Sequence, residues 1–155
     1  MIECEITYSD ESLRQFIDHQ KVEKTIHRLF SLLELDFYEL SLTFVTDKEM
    51  RVLNKNYRNI DETTDVLSFS QIEDEDLVVQ QEDSVTLLGD IIISVDELRQ
   101  NAAYFNEEVD VELMRLVIHG ILHLLGWDHT SNEATEEMLQ KQEMLLLKIS
   151  KELNS

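Results

Sequence analysis

Apolar and polar residues alternate from Ile2 to Thr7, the period of a half-buried strand. From Ser12 to about Leu35 the period lengthens. Leu13, Phe16, Ile17, Val22, Ile26, Leu29, Phe30 and Leu33 recur at helical spacing and predict one long helix. Alternation returns at Leu40–Thr46, with Leu40, Leu42 and Phe44 on one face, and Asp47 is placed to cap a short helix carrying Met50, Leu53 and Tyr57. Thr64–Phe69 reads as a third strand. Leu87–Ser94 is the most apolar strand candidate, which suits a central position in the sheet. Between these two, Gln71–Ser84 carries the run Glu73-Asp74-Glu75-Asp76 and is the expected exposed loop, with Leu77, Val78 and Val79 as a candidate edge strand. Helical segments follow at about 95–105, 109–125 and 132–152, the last long and amphipathic.

Strands alternating with helices early, then helices clustered late, predict a layered α+β or α/β fold with a sheet of about four or five strands covered by helices. The chain of 155 residues is read as a single domain, 1–155, long enough to bury a core. No apolar run approaches the roughly 20 residues that span a bilayer. The acidic, alternating N-terminus does not resemble a secretory signal. A single cysteine, Cys4, permits no internal disulfide and reads as a half-buried strand thiol. A cytoplasmic protein with no membrane contact is the expectation.

Charge narrows the partners. The net charge is −20, and residues 61–155 hold 22 acidic side chains against 5 basic ones. Such a surface repels phosphate backbones, which argues against broad, sequence-blind nucleic-acid binding. A local basic site remains open in the first 60 residues, where Arg51, Lys55 and Arg58 sit at helical spacing.

The chemistry is concentrated in His119-Gly-Ile-Leu-His-Leu-Leu-Gly-Trp-Asp-His129, which holds three of the five histidines. His119 and His123 are one helical turn apart, so both imidazoles can reach one ion at Zn–N distances of about 2.0–2.1 Å. Gly126 can end the helix in a left-handed conformation and return the chain so that His129 becomes a third ligand. One zinc ion per chain is the expectation, and three protein ligands leave a position for water, as in catalytic sites. The spacing is that of the metzincin metalloproteases with one departure. Those enzymes place a glutamate general base after the first histidine, where this chain has Gly120. Asp128 is equally readable as a substitute or as a residue that supports a metal ligand by hydrogen bonding or caps the turn.

Together with two further stretches, Asn54-Lys55-Asn56-Tyr57-Arg58 followed by Thr63–Phe69, and Leu88–Ser94, this segment resembles the YbeY family of bacterial endoribonucleases. The resemblance runs from about residue 40 to 130; Ser70 stands where the family usually has proline. It implies an α+β domain with a mixed sheet flanked by helices, and a metal site on a late helix and the turn after it. It further implies zinc on His119, His123 and His129, with His119 and Arg58 as catalytic residues and Arg58 also binding substrate. The implied activity is single-strand-specific RNA cleavage in 16S ribosomal RNA 3′-end maturation and ribosome quality control. The implied partners are that RNA and the ribosome or its proteins, with no DNA. Asp65 is a candidate to orient a histidine or Arg58, Gly89 marks a bulge or a close approach of substrate, and Asp90 reads as structural. Two other classes remain: a different metal-dependent hydrolase (peptidase or esterase), and a zinc-containing ribosome assembly factor with little catalysis.

Overall fold

The structure, a computed structural model, describes residues 4–71, 85–127 and 132–153, with side chains from residue 137 onward in the last segment. The N-terminal alternation forms β1, Cys4–Tyr8. The predicted long helix is divided. A 3-10 turn, Glu11–Phe16, ends at Ile17 in extended backbone, and Asp18 then caps α1, His19–Leu32, by accepting a hydrogen bond from the Lys21 amide at 3.1 Å. The apolar spacing continues across the break, so periodicity alone does not reveal it.

β2, Tyr38–Val45, leads into α2, Asp47–Arg58. The cap is Thr46 and not Asp47: Thr46 and Glu49 form a reciprocal capping box. Asp47 instead accepts hydrogen bonds from Ser94 at 2.6 Å and Thr63 at 3.0 Å, tying the start of α2 to the end of the central sheet. β3 is Val66–Ser70 and β4 is Thr86–Ser94. The candidate edge strand at Leu77–Val79 lies outside the described residues. Three helices follow among the described residues: α3, Val95–Tyr104; α4, Val109–Leu124; and α5, Asn132–Leu153.

The described strands form one mixed sheet in the order β1-β2-β4-β3, with β1-β2 and β2-β4 parallel and β3-β4 antiparallel. The apolar β4 is therefore internal, as its sequence predicts, and β3 is an outer strand. Alternation sends the two faces to different helices. Leu40, Leu42, Phe44, Ile91 and Ile93 join the main core with residues of α1, α3, α4 and α5. Val45, Leu67, Phe69 and Ile92 join Met50 and Leu53 of α2 on the opposite face. Val66, Ser68 and Ser70 consequently point towards α4, and Ser70 Oγ donates to the Leu124 carbonyl at 3.4 Å.

Candidate active site

α4 is the buried axis of the molecule. From Glu112 to Leu124 every residue is buried except Arg115, His119 and His123, which form a single stripe spaced by four. A helix apolar on most of its circumference belongs in a core, so those three positions mark the side that opens to solvent. Gly120 faces the sheet: a Cβ there would stand 2.7 Å from Ile91 Cδ1, and Ile91 is wholly buried. The glycine in place of the metzincin glutamate thus has a packing cause.

His119 and His123 present their Nε2 atoms to each other at 3.0 Å, with the rings 75° apart. Two imidazole nitrogens on one tetrahedral zinc stand about 3.3 Å apart, so this pair needs little adjustment to share an ion. His119 Nδ1 lies 2.7 Å from Oε1 of Gln142 on α5, a contact of the kind that orients histidines in metal sites generally. The helix carboxyl end adds partial negative charge beside His123. Gly126, at φ 95°, ends α4 in a Schellman motif: its amide donates to the His123 carbonyl and that of Trp127 to the Leu122 carbonyl, each at 3.0 Å. The predicted turn is therefore present. His129 and Asp128 lie outside the described residues, and among the described residues no three His, Cys, Asp or Glu side chains converge on one point. The two histidines and the donor chemistry fit zinc.

The histidines open onto a cleft of ≈ 490 Å³ that runs beside β3 and is lined by Arg58, Asp65, Phe69, His119 and His123 among others. Arg58, exposed at the last turn of α2, has no ion-pair partner among the described residues. Arg51, its predicted neighbour in a basic strip, is drawn away by Asp61 at 2.9 Å, which holds the Asp61 carboxyl below its ordinary pKa. Next to Arg58, Tyr57 is 66% exposed and sets its ring edge-on to Phe69, centroids 5.2 Å apart.

Among the described residues Asp65 reaches neither a histidine nor Arg58; its carboxylate accepts from Asn101 Nδ2 at 3.1 Å. Gly89 sits beside a register shift in β4, and a Cβ there would meet the Phe69 carbonyl at 2.5 Å and Leu124 at 2.6 Å. The space is filled by the protein's own β3 and α4. Asp90 accepts from Gln71 at 3.1 Å, a structural role.

Behind the cleft lies a polar network that the histidine motif does not signal. Arg115 binds Glu107 at 2.5 Å, Glu112 at 2.7 Å and Glu143 at 3.1 Å. Three carboxylates hold the guanidinium pKa above its ordinary value, and Arg115 in turn lowers that of Glu107. Glu112, 3% exposed, is raised because burial outweighs its bonds to Arg115 and Asn101. The sequence clue to Gln142 was a lone glutamine in the apolar stripe Met138, Leu145, Leu146 and Ile149.

A mixed sheet backed by a buried helix, with a histidine pair and an exposed arginine along one cleft, defines a layered α+β protein with a candidate active site. The family model described as Endoribonuclease YbeY matches residues 5–150, and the chain belongs to that family. A protein named Endoribonuclease YbeY from Treponema denticola is 42% identical over 142 residues, covering 92% of this chain and 90% of its own. One of the same name from Clostridioides difficile is 40% identical over 117 residues, 74% of each chain. The solution structure of TM1509 from Thermotoga maritima superposes with a TM-score of 0.64 at 26% identity, covering 97% of this chain and 91% of the other.

Proposed function

We propose that the chain is a zinc-dependent endoribonuclease that cuts single-stranded RNA, and that its substrate is 16S ribosomal RNA, whose 3′ end it matures in ribosome assembly and quality control in the cytoplasm. The observation that carries this reading is the placement of His119, His123 and Arg58 along one cleft in a chain of this family. One zinc per chain, held by His119, His123 and His129, would supply Lewis acidity and a nucleophile at neutral pH.

The remaining work falls to side chains. Arg58 offers a planar fork that matches two phosphate oxygens and stabilises the charge that develops on them. Its lack of a carboxylate partner among the described residues leaves the fork available. His119, through the hydrogen bond at its Nδ1, keeps its ring aimed at the cleft. Tyr57 and Phe69 form an aromatic edge beside Arg58, and unpaired bases can stack there whereas bases inside a duplex cannot. A net charge of −20 disfavours binding RNA through the whole surface and suits an enzyme that works beside a basic partner, such as a ribosomal protein. No helix among the described residues is long and apolar enough to cross a membrane.

The test has two parts. Elemental analysis of protein purified without added metal should give one zinc per chain, lost in His123→Ala. The zinc-loaded protein should cut a single-stranded 16S precursor 3′ end, leave duplex RNA and DNA intact, and lose activity in His119→Ala. Folded wild type without zinc, or peptide turnover without RNA cleavage, overturns the reading.

A further inference from the structure

Gln142 is 4% exposed. Its Nε2 donates to Glu143 Oε2 at 3.1 Å, while its Oε1 faces His119 Nδ1 at 2.7 Å. An ionised carboxylate only accepts, so the amide nitrogen must be the atom that faces Glu143, and the amide oxygen must face the imidazole. That oxygen also only accepts. The proton of neutral His119 therefore resides on Nδ1, and Nε2, on the side of His123, is unprotonated. Glu143 is half-exposed and is held by Arg115, which stands one turn before His119 on the same helix. Arg115 is fixed in its turn by Glu107 and Glu112. The orientation of one amide is thus set by a chain of charged groups that runs from Glu143 on α5 to Arg115 on α4.

We propose that Gln142, backed by Glu143 and Arg115, is a positioning residue that fixes His119 as the Nδ1–H tautomer and so gives its Nε2 the lone pair a metal ion requires. The consequence for metal affinity rests on the zinc reading above; the tautomer belongs to the metal-free protein and is measured without it. Leucine at 142 fills a similar volume but accepts nothing, and His119 is then released towards the Nε2–H form that free histidine favours. Glutamate at 142 keeps an acceptor opposite Nδ1.

Long-range ¹H–¹⁵N correlation spectra of the histidine rings, recorded on metal-stripped protein where imidazole is neutral, should show His119 as Nδ1–H in wild type and in Gln142→Glu. In Gln142→Leu the signals should move towards Nε2–H, and zinc affinity by chelator competition should fall about 10–100-fold. Glu143→Leu changes a half-exposed side chain and provides a second variant if Gln142→Leu does not fold. It frees the amide to turn over and should also raise the Nε2–H population. Nδ1–H retained in the leucine variants, or Nε2–H in wild type, overturns the proposal even if zinc binds. The expected tautomers in a wild type that binds no zinc would overturn the zinc reading and leave this one standing.

Discussion

Gly120 and Ile91 bring α4 and β4 so close that a side chain at position 120 would require Ile91 to shift: an added Cβ would lie 2.7 Å from Ile91 Cδ1 and 3.2–3.3 Å from Cγ1 and Cγ2. The contact lies in the middle of the main core and one residue after His119, so it helps set the height of the histidine stripe over the sheet. It also accounts for the departure from the metalloprotease pattern. A glutamate here would direct its carboxylate at a wholly buried isoleucine and away from the cleft.

Gly120→Ala should therefore destabilise the protein by about 1–3 kcal/mol through overpacking, despite the better helix propensity of alanine. Urea unfolding measures it, and an unchanged or raised midpoint would show that Ile91 moves aside freely. Gly120→Glu should cost more, since it adds a buried and unpaired charge, and should yield no peptidase activity.

Arg58→Ala should lower RNA turnover by about 10²-fold, the scale for loss of one charge-stabilising donor. Zinc content should remain at the wild-type level, because Arg58 contributes nothing to the imidazole pair. Elemental analysis beside a single-turnover cleavage assay separates the two effects. Loss of metal in this variant would mean that Arg58 supports the histidines and not the substrate.

Much of this arrangement was legible in the chain, and the parts that were not have identifiable causes. Alternation located β1 and β2 because each buries one face, and the exceptional apolarity of Leu87–Ser94 located β4 and placed it inside the sheet. The pair His119 and His123 was readable because a helix makes spacing equivalent to position, and Gly126 because a left-handed turn strongly selects glycine. The break at Ile17–Asp18 was hidden because the apolar residues on either side keep helical spacing, although Asp18 carried the cap signal. Thr46 was missed as a cap although Thr-x-x-Glu stood in the sequence. That Arg51 is tied to Asp61 and Asp65 to Asn101 depends on contacts 10 and 36 residues apart, which no local pattern encodes.

Tyr57→Ala should weaken binding of single-stranded RNA by about 1–3 kcal/mol, the worth of one base stacked on an aromatic ring, and act on KM more than on kcat. Tyr57→Phe should be close to wild type, since stacking needs the ring and not the hydroxyl. Fluorescence anisotropy with a labelled oligoribonucleotide gives the affinity. Equal losses in the alanine and phenylalanine variants would assign the effect to the hydroxyl and remove the stacking role.

Glu112 supplies a pH test of the network behind His119. Burial raises its folded pKa above that of the unfolded chain, with Arg115 and Asn101 opposing. As pH rises above the ordinary carboxylate range, the unfolded chain gives up this proton first while the folded protein keeps it. The folded state then binds more protons, so the contribution of Glu112 to stability is fully present below the unfolded pKa and declines as pH rises through the folded one. Glu107 has the opposite sign: Arg115 lowers its pKa, so its contribution is present above the ordinary carboxylate value and lost as pH falls through the folded pKa. Glu112→Gln removes only the first titration. The unfolding free energy of wild type minus that of Glu112→Gln, measured in urea at steps between roughly pH 4 and pH 8, should therefore fall with rising pH. A difference that rises instead would mean that the bonds from Arg115 and Asn101 outweigh burial, and that Glu112 is ionised throughout as a strong anchor for Arg115.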